Sequence, residues 1–450
     1  MATSEVKRMD GYDVVIASAG TTACVLAKEL SRMGKKVICL EKGDDSRFLL
    51  NGTAMSMVAG KHAEMRLPKS MFVPTKEGDD VIIPFGLGGG SKTYAGLATT
   101  PDYEQWRKWG IDLEPYRAWS EEESWVSDVP EEFISDGEKL YMEAAEKVGF
   151  PMEITQKHIK FDRCTPKGCA KCSYGCPSKA KWDATYSAYE AMDNGAEFLW
   201  HTTVQEAIIE NGKAVGFRAK KKDGTMLEVR GKAAVVSCGG YGSVPIARKA
   251  GLKDAGTTFA GDASVLTWGI LPKGMKGNQH DFPMVAQMHY EPTQTRFGSC
   301  MHTQTGWLGT AIFVEGIKVL KYLPAWPRIL VSFAKTHDDA LGYVGDDGSM
   351  SKTYSETDKH RLDFARETST KILIAAGCDP KSISHNKIIL AHPSATVPMG
   401  RFLDSNLEVK GVPGLYFCDT SAFPESIGAP TVLTLVHLAK HLSDHLGKVL

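Results

Sequence analysis

A β-branched run, a short turn of small residues and an apolar helix open the chain, in the segment YDVVIASAGTTACVLAKEL, residues 12–30. This order predicts a buried strand, a tight turn and an amphipathic helix. A G-x-G-x-x-G motif in that context binds a dinucleotide, with its pyrophosphate at the helix N-terminus. Here the three glycine positions are occupied by Ala17, Ala19 and Thr22.

The replaced glycines predict an altered phosphate site. Alanine is tolerated at Ala17 and Ala19 if their φ angles are negative, because only positive φ favours glycine. Thr22 is bulkier, although its hydroxyl could help to cap the helix. We therefore expect a pyrophosphate site that is weakened or displaced rather than lost.

A second predicted strand and a glycine-dense loop follow. Glu41 closes the run KKVICLEKG, residues 35–43. It stands about 20 residues after the turn, where an acidic side chain accepts hydrogen bonds from a ribose hydroxyl. The loop PFGLGGGSKTYAGLATTPD, residues 84–102, allows its backbone to approach a ligand closely. Both features favour a nucleotide site.

Length and charge limit the classes of protein to consider. With 450 residues the chain is too long for one simple core, so two joined domains are expected. Basic and acidic residues number 53 and 54, a net charge of −1, without the basic excess of a nucleic-acid binder. The sequence has no secretory apolar run near its start and no stretch that would span a bilayer. We expect a cytoplasmic protein without a transmembrane segment.

Four of the ten cysteines lie close together: Cys164, Cys169, Cys172 and Cys176, followed by Pro177. In a chain without an export signal, this crowding indicates metal or redox chemistry rather than a disulfide framework. The C-x2-C-x3-C-P portion is typical of iron–sulfur loops, but zinc accepts the same thiolates. Packing as small hydrophobic residues, or a surface disulfide, also stays open. Seven basic residues in 157–182 would favour thiolates and could dock an acidic electron carrier.

The remaining sequence predicts a nucleotide domain made of separated pieces. Residues 195–252 alternate apolar and polar side chains, with turn signals at Asn211-Gly212 and Asp223-Gly224. They predict a β-meander that returns to a buried strand, Ala233–Cys238. Residues 255–385 have weak periodicity, as expected of a domain that covers the substrate. The tail from residue 387 returns to strand, loop and helix.

Together these motifs resemble the glucose–methanol–choline (GMC) flavoprotein oxidoreductases over most of the chain. The resemblance rests on the N-terminal turn with Glu41, GLGGGSKTYAG at 86–96, VVSCGGYGSVPIARKAGL at 235–252, HPSATVPMG at 392–400 and GLYFCDTSAFPESIGAPTVLTLVHLAKHL at 414–442. The cysteine segment is similar to long-chain alcohol oxidases and to bacterial FAD-dependent sugar dehydrogenases.

The resemblance implies an α/β fold: a discontinuous, Rossmann-like FAD-binding domain with an α+β substrate domain built on an antiparallel sheet. The expected FAD-binding segments are residues 1–120, 186–255 and 386–450. Residues 256–385 are expected to form the substrate domain. Residues 121–185 would be a linker or substrate-domain segment that contains the cysteines.

The resemblance also implies which residues line an FAD site. Asp419 matches the aspartate that contacts the flavin's ribityl chain, and Glu41 matches the ribose-binding acid. The other cofactor-binding residues implied in this way are Ala17, Ala19, Gly20, Thr21, Thr22, Gly88, Gly89, Gly90, Ser91, Val204, Pro430 and Thr431.

Two polar residues face the flavin N5 in the family: a histidine, and a second histidine or an asparagine. His392 matches the first, and an imidazole that titrates near neutrality suits the base that takes an alcohol's proton. Ala429 stands where the second is expected, and its methyl group forms no hydrogen bond. Either His392 works alone, or a substrate-domain residue replaces the missing group, or the reaction is not alcohol oxidation.

In the sugar dehydrogenases the corresponding cysteines hold an iron–sulfur cluster, which implies a 3Fe–4S or 4Fe–4S cluster on Cys164, Cys169, Cys172 and Cys176. The expected activity is an FAD-dependent dehydrogenase that moves a hydride between flavin and a small hydroxylated molecule, an alcohol or a sugar-like compound. Electrons would leave through the cluster to an acceptor protein or partner subunit. The alternative is a non-redox lyase or isomerase on the same fold, or a silent subunit with weakened FAD binding.

Overall fold

The β-branched run near the start of the chain lies in a buried strand, as the sequence predicts. In the computed structural model it forms the end of β1, Lys7–Ala17, and the helix α1, Thr21–Arg32, begins four residues later. The residues from Val14 to Ala17 are fully buried. All but the last residue of α1 are buried as well, because the helix lies between the sheet and other helices.

The structure describes residues 6–45, 72–164, 170–174, 176–277, 282–300, 307–308, 311 and 316–450. Its strands are β1 Lys7–Ala17, β2 Val37–Leu40, β3 Phe72–Pro74, β4 Asp80–Ile82, β5 Leu97–Ala98, β6 Val126–Asp128, β7 Glu153–Ile154, β8 Gln156–His158, β9 Glu197–Leu199, β10 Thr202–Glu210, β11 Lys213–Lys221, β12 Met226–Val236, β13 Ala263–Ile270, β14 Ala286–Tyr290, β15 Thr295–Ser299, β16 Ile329–Thr336, β17 Gly342–Val344, β18 Met350–Lys352, β19 Ser384–His385, β20 Ile389–Leu390 and β21 Leu415–Phe417. Its α-helices are α1 Thr21–Arg32, α2 Tyr103–Trp109, α3 Arg117–Glu123, α4 Asp136–Lys147, α5 Thr185–Asp193, α6 Gly239–Gly242, α7 Val244–Lys249, α8 Glu356–Ala375 and α9 Val432–Val449.

A sheet of seven strands has the order β10-β11-β12-β1-β2-β9, with β21 beside the second half of β12. Strands β9, β2, β1, β12 and β21 run parallel, and β10 and β11 extend the sheet as the predicted meander. Helix α1 packs against α5 and α9. Because parallel strands end at one edge of a sheet, the turns after β1, β2, β12 and β21 meet there.

A second sheet of nine strands has the order β3-β4-β20-β13-β16-β15-β14-β7, with β19 beside β13. Its pairs are antiparallel, except that β20 runs parallel to β4. Helix α8 packs on β13 and β16, whose residues are buried at nearly every position. The predicted fold class, a parallel α/β unit with a separate antiparallel sheet, is confirmed.

The two large sheets each draw on separated parts of the chain. Strands of the first come from residues 7–40, 197–236 and 415–417, and those of the second from 72–82, 153–154, 263–336 and 384–390. Residues 72–82 lie within the expected first FAD-binding segment, 1–120, but they form β3 and β4 of the second sheet. The expected domain boundaries stay a prediction.

Several large aromatic residues of the second half of the chain are core residues. Trp307, Tyr322 and Trp326 pack with Trp268 and Phe333 in one buried apolar cluster. In the part of the chain that the structure describes, no helix is both long enough and apolar enough to cross a membrane.

Candidate active site

A cavity of about 570 Å³ lies where the ends of the parallel strands meet one face of the nine-stranded sheet. Many predicted site residues line it: Gly20, Thr21, Thr22, Glu41, Gly89, Gly90, Val204, His392, Asp419, Pro430 and Thr431. The other predicted cofactor and catalytic positions, Ala17, Ala19, Gly88, Ser91 and Ala429, are buried. The fold therefore brings the dispersed motifs to one place.

The turn after β1 accommodates its alanines because neither has a positive φ. The left-handed position is Ser18, with φ 93°, and neither Ala17 nor Ala19 is in that region. A left-handed non-glycine residue costs about 1–2 kcal/mol. The Ser18 hydroxyl donates to Glu41 Oε2 at 3.1 Å, which offsets part of that cost. Ala17 and Ala19 therefore meet the condition for alanine in place of glycine, which is a φ angle that is not positive.

Thr22, at the third glycine position, is buried and uses its hydroxyl between elements. The hydroxyl donates to the Cys418 carbonyl at 2.5 Å and lies 2.5 Å from the Ser237 hydroxyl. The expectation that the Thr22 hydroxyl caps α1 is wrong. The N-cap residue is Gly20, and no side chain in the described part of the chain forms a capping hydrogen bond at this helix end. Thr22 instead joins α1 to the segments that follow β12 and β21.

Glu41 connects the first turn with the second glycine loop. Its Oε2 accepts from the Ala19 N–H at 2.8 Å as well as from Ser18, and its Oε1 accepts from the N–H groups of Gly43 at 2.8 Å and Gly86 at 3.1 Å. The side chain is almost fully buried yet borders the cavity. The carboxylate therefore sets the spacing between the two loops.

The second glycine loop packs directly on the first turn. The Gly88 N–H donates to the Ala19 carbonyl at 2.8 Å, and a Cβ on Gly89 would lie 3.1 Å from the Gly20 Cα. Gly88 and Gly89 have φ angles of 83° and 49°. Glycine is thus required here for both space and conformation. The Ser91 hydroxyl closes the loop by donating to the Gly88 carbonyl at 2.6 Å.

Asp419 follows β21 and holds helix α6 against the cavity. Its carboxylate accepts from the N–H groups of Ser421 at 2.7 Å and Gly239 at 2.8 Å, and from the Ser243 hydroxyl at 2.7 Å. Burial raises the pKa of Asp419, and these donors oppose the rise. A Cβ on Gly240 would lie 2.1 Å from the Pro393 carbonyl oxygen. Helix α6 can therefore pack against the segment that contains His392 only because residue 240 is glycine.

His392 is in contact with two charged residues that the sequence analysis did not identify. Its Nδ1 lies 2.8 Å from Asp262 Oδ2 and 2.9 Å from Lys335 Nζ. Asp262 precedes β13 and Lys335 is in β16, so the group unites three separate parts of the chain. Both partners are almost fully buried, and Lys335 and His392 line the cavity.

Asp262 is fixed from its other side by the loop that contains Ala429. Its Oδ1 accepts from the Ser426 hydroxyl at 2.5 Å and from the Gly428 N–H at 3.1 Å, and its φ of 52° is left-handed. This strained position is over-determined by its hydrogen bonds, as is common for functional residues. One carboxylate thus orients both His392 and the loop at Ala429.

Burial and mutual attraction set the protonation of the group. Burial opposes ionisation of Asp262, but the His392 hydrogen bond and the Lys335 charge lower its pKa to about 2. Burial lowers the pKa of Lys335 to about 8, and burial, with Lys335 nearby, lowers the pKa of His392. Near neutral pH the group therefore holds a carboxylate, a neutral imidazole and an ammonium. His392 Nδ1 cannot donate a hydrogen bond to Asp262 and accept one from Lys335 at the same time. When Nδ1 carries the proton and donates it to Asp262, Nε2 keeps the lone pair.

The sequence contained a signal for both missed residues. Lys335 is the charged residue in the otherwise uncharged run ILVSFAKT, and Asp262 directly precedes the buried strand ASVLTWGI. Charged residues are rarely fully buried unless they are paired. A charged residue within or beside a mostly apolar run therefore indicates that the charge has a partner.

Two family models for the GMC oxidoreductases match the chain, one for the N-terminal part at residues 12–274 and one for the C-terminal part at residues 352–439. Together they cover well over half of its length. The chain belongs to the GMC oxidoreductase family. It is therefore an oxidoreductase, and the family implies FAD. Membership favours the redox function over the lyase, isomerase or silent-subunit alternative.

Alignments with relatives of low sequence identity cover nearly the whole length of this GMC oxidoreductase. An uncharacterized GMC-type oxidoreductase of Mycobacterium tuberculosis is 24% identical over 496 residues, 96% of this chain and 75% of that protein. A long-chain-alcohol oxidase of Arabidopsis thaliana is 23% identical over 540 residues, 100% of this chain and 69% of the oxidase. An uncharacterized protein of Methanocaldococcus jannaschii is 24% identical over 437 residues, 95% of this chain and 98% of that protein.

The residues of this GMC oxidoreductase fit an FAD. The N-terminus of α1 borders the cavity at Gly20–Thr22 without an acidic residue in its first turn, which suits a pyrophosphate. Gly20, Gly89 and Gly90 form a wall without side chains. Glu41 and Asp419 add two carboxylates to the cavity wall, and their contacts with the ribose and the ribityl chain stay predictions.

The predicted cluster cysteines lie near the same cavity, as far as they are described. Cys172 is buried in an apolar cluster against which Cys164 and Cys176 also pack, and Ser173 lines the cavity. Burial raises the pKa of the Cys172 thiol to about 12, against the charges of Lys181 and Lys157. Cys169 lies outside the described residues. Within the described ranges, no three His, Cys, Asp or Glu side chains are grouped so that they could hold a metal.

Proposed function

We propose that this enzyme oxidises a hydroxyl group of a small molecule, with His392 as the base. The observation that carries the proposal is the 2.8 Å contact between Asp262 and His392 on the cavity that also contains the predicted FAD residues. A base that is oriented by a third group is the usual arrangement for activating a hydroxyl. The long-chain-alcohol oxidase among the relatives is consistent with such a substrate.

In the direction of oxidation, the O–H and C–H bonds of one carbinol break. His392 Nε2 accepts the hydroxyl proton, while Asp262 retains the hydrogen bond from Nδ1 and stabilises the imidazolium that forms. The hydride leaves carbon with both electrons, and a carbonyl remains. FAD, when bound, supplies the acceptor for that hydride.

Lys335 is the substrate-domain residue that replaces the polar group missing at Ala429. Its Nζ lies 2.9 Å from His392 Nδ1, it is almost fully buried, and it lines the cavity. An ammonium held beside the base stabilises the negative charge that develops on the substrate oxygen, because the attraction is stronger at a buried position than in water. Of the three expectations for the missing group, this arrangement favours replacement.

The test is the rate of flavin reduction under anaerobic conditions in a stopped-flow instrument, with a panel of primary and secondary alcohols. His392→Ala is expected to keep its flavin but to slow reduction by about 10²–10⁴-fold. His360→Ala, on the exposed face of α8, is the control and should reduce at the wild-type rate. Equal rates for His392→Ala and wild type would exclude His392 as the base.

We also propose that Cys164, Cys169, Cys172 and Cys176 ligate an iron–sulfur cluster that passes electrons from the flavin to an acceptor protein or partner subunit. Support comes from their spacing and from the place of Ser173 on the cavity wall. Lys181 adds a connection: its N–H donates to Cys176 Sγ at 3.4 Å, and its ammonium donates to the carbonyls of Ser91, Lys92 and Tyr94. The cysteine segment is thereby tied to the second glycine loop.

Iron and acid-labile sulfide analysis of anaerobically purified protein tests the cluster. We expect about three or four iron atoms per chain, lost in Cys172→Ala and retained in Cys378→Ala, a buried cysteine in another core cluster. Stoichiometric zinc, or the absence of any metal, would contradict the proposal without affecting the assignment of His392.

A further inference from the structure

One face of the nine-stranded sheet forms the cavity wall opposite the parallel strands. Ser264 and Leu266 of β13 lie opposite Lys335 and Phe333 of β16 in the ladder, and all four line the cavity. Arg296 of β15 is the partner of Lys335 on its other side and lines the cavity too. Along this face the wall is therefore apolar at Leu266 and Phe333 and cationic at Lys335 and Arg296.

Two cations stand directly opposite each other in this ladder. Residues in such a pair have Cβ atoms about 4.5–5.5 Å apart, and like charges there destabilise a sheet. The Arg296 Nε is buried, and among the described residues it has no hydrogen-bond partner. Burying a guanidinium nitrogen without an acceptor is costly. An anion in the cavity beside the Arg296 side chain would offset the repulsion between the two cations.

Among the described residues, the nearby acids do not balance the two cations. Asp262 is 3.9 Å from Lys335 and is the carboxylate that His392 also contacts. Asp338 is paired with Lys352 at 2.6 Å, with both side chains fully buried. Glu291 is mostly exposed and contacts His289 at 3.0 Å, so water screens its charge. Counting the residues that the structure describes, Arg296 therefore leaves this end of the cavity with an excess of positive charge.

A neutral donor stands next to Arg296. Gln287 of β14 is opposite Gly298 of β15, and it lines the cavity. A Cβ on Gly298 would lie 3.1 Å from Gln287 Cγ and 2.8 Å from the Ala286 carbonyl. Glycine at this position thus leaves the space in which the Gln287 side chain lies over β15. A guanidinium and an amide on neighbouring strands make a donor set suited to an oxyanion.

We propose that the alcohol oxidised by this enzyme carries an oxyanion, a carboxylate or a phosphate, and that Arg296 binds this group with Gln287 beside it. The inference rests on the proposed function and names its substrate class. The planar guanidinium fork matches two oxygens of either group. Since Arg296 pairs with Lys335, which contacts His392, an anion held there leaves the hydroxyl of the same small molecule within reach of the base.

Ligand binding tests the inference without turnover. Sodium acetate and inorganic phosphate are titrated into the oxidised holoenzyme, with acetamide as the neutral analogue of acetate, and the flavin absorption spectrum is recorded. At least one anion should bind tenfold or more tightly than acetamide, and Arg296→Gln should remove this preference. Arg296→Lys, which keeps the charge, should retain part of it. Arg218→Gln, on an exposed ion-paired strand position, is the control and should retain all of it.

Turnover of matched alcohols separates the two anions. The pairs are 4-hydroxybutyrate with 1,4-butanediol, and glycerol 3-phosphate with glycerol. The anionic member of one pair should have the higher kcat/KM by tenfold or more, and Arg296→Gln should lower that ratio mainly through KM. Equal or better use of both neutral alcohols, or no anion preference in the titration, would overturn the inference. Failure of every alcohol to reduce the flavin would instead count against the proposed function, while the titration would still decide whether Arg296 binds an oxyanion.

Discussion

The hydroxyl of Thr22 donates a 2.5 Å hydrogen bond to the carbonyl of Cys418. Thr22 stands where related dinucleotide sites have a glycine, and Cys418 directly precedes Asp419. A glycine at this position lets a helix lie close to its strand. In this chain a side-chain hydrogen bond, rather than the absence of a side chain, sets the distance between α1 and the end of β21.

Thr22→Val is expected to lower the free energy of unfolding by about 1–3 kcal/mol, because the methyl group cannot donate to Cys418 and leaves a buried acceptor with fewer partners. Thr22→Ser keeps the hydroxyl and should cost less. Urea unfolding followed by circular dichroism measures both. A valine variant as stable as wild type would mean that the hydrogen bond contributes nothing.

Ala19→Gly is expected not to restore tighter FAD binding. Because Ala19 has a negative φ, glycine adds flexibility without relieving strain and should destabilise the turn by about 0.5–1 kcal/mol. The dissociation constant of FAD, measured by fluorescence quenching with apoprotein, should change by less than about fivefold. A tenfold gain in affinity would show that the alanine methyl obstructs the pyrophosphate.

Glu41→Gln is expected to loosen the contact between the two glycine loops. Each carboxylate oxygen accepts hydrogen bonds from two donors, Oε2 from Ser18 and Ala19 and Oε1 from Gly43 and Gly86. Glutamine keeps one oxygen, but the nitrogen that replaces the other cannot accept from its two donors. Stability should fall by about 1–3 kcal/mol. The ratio of flavin to protein after gel filtration should fall as well. Glu197→Gln, at an exposed strand position, is the control. A Glu41→Gln protein that retains full flavin would contradict the structural assignment.

The rate of flavin reduction should depend on pH with a rise on the acidic side and a fall on the alkaline side. A base must be neutral, and the pKa of His392 is lowered from 6.5, so the rate should rise through a pH below 6.5 and then level off. Lys335 loses its charge near its pKa of about 8, so the rate should fall again above that pH. Lys335→Met should lower the plateau and remove the alkaline limb. An alkaline limb that persists in Lys335→Met would assign it to another group.

Asp262 makes the folded protein sensitive to acid. Its pKa in the folded state is about 2, below its ordinary value of 3.8, so its ionised form contributes stability above about pH 4 that is lost as the pH falls through 2. The difference in unfolding free energy between wild type and Asp262→Asn should therefore shrink between pH 4 and pH 2. A difference that is constant over this range would mean that the carboxylate is not ionised in the native protein.

The parts of the site that were predictable from sequence depend on short-range patterns. Glu41 was recognisable because it closes a strand at a set distance from the first turn, and Asp419 and His392 because they stand within recognisable segments. Asp262 and Lys335 lie outside any such segment, and a charge beside an apolar run does not show which residue is its partner. They are 73 residues apart in sequence and become partners of His392 only through the pairing of β13 with β16. Thr22 was recognised as a departure, but its contact with Cys418 spans 396 residues.

The sequence alone determined the parallel α/β unit, the family and the places of the main loops, because strand, turn and helix signals are written in neighbouring residues. Only the tertiary structure decided which charges surround His392, where the strain of the first turn lies, and that Arg296 and Lys335 share one cavity wall. Those properties depend on register between distant strands and on burial. Strand register and burial are set by the packing of the whole chain. Burial and the charges that packing brings close change the energy of a charged group far more than its neighbours in sequence do.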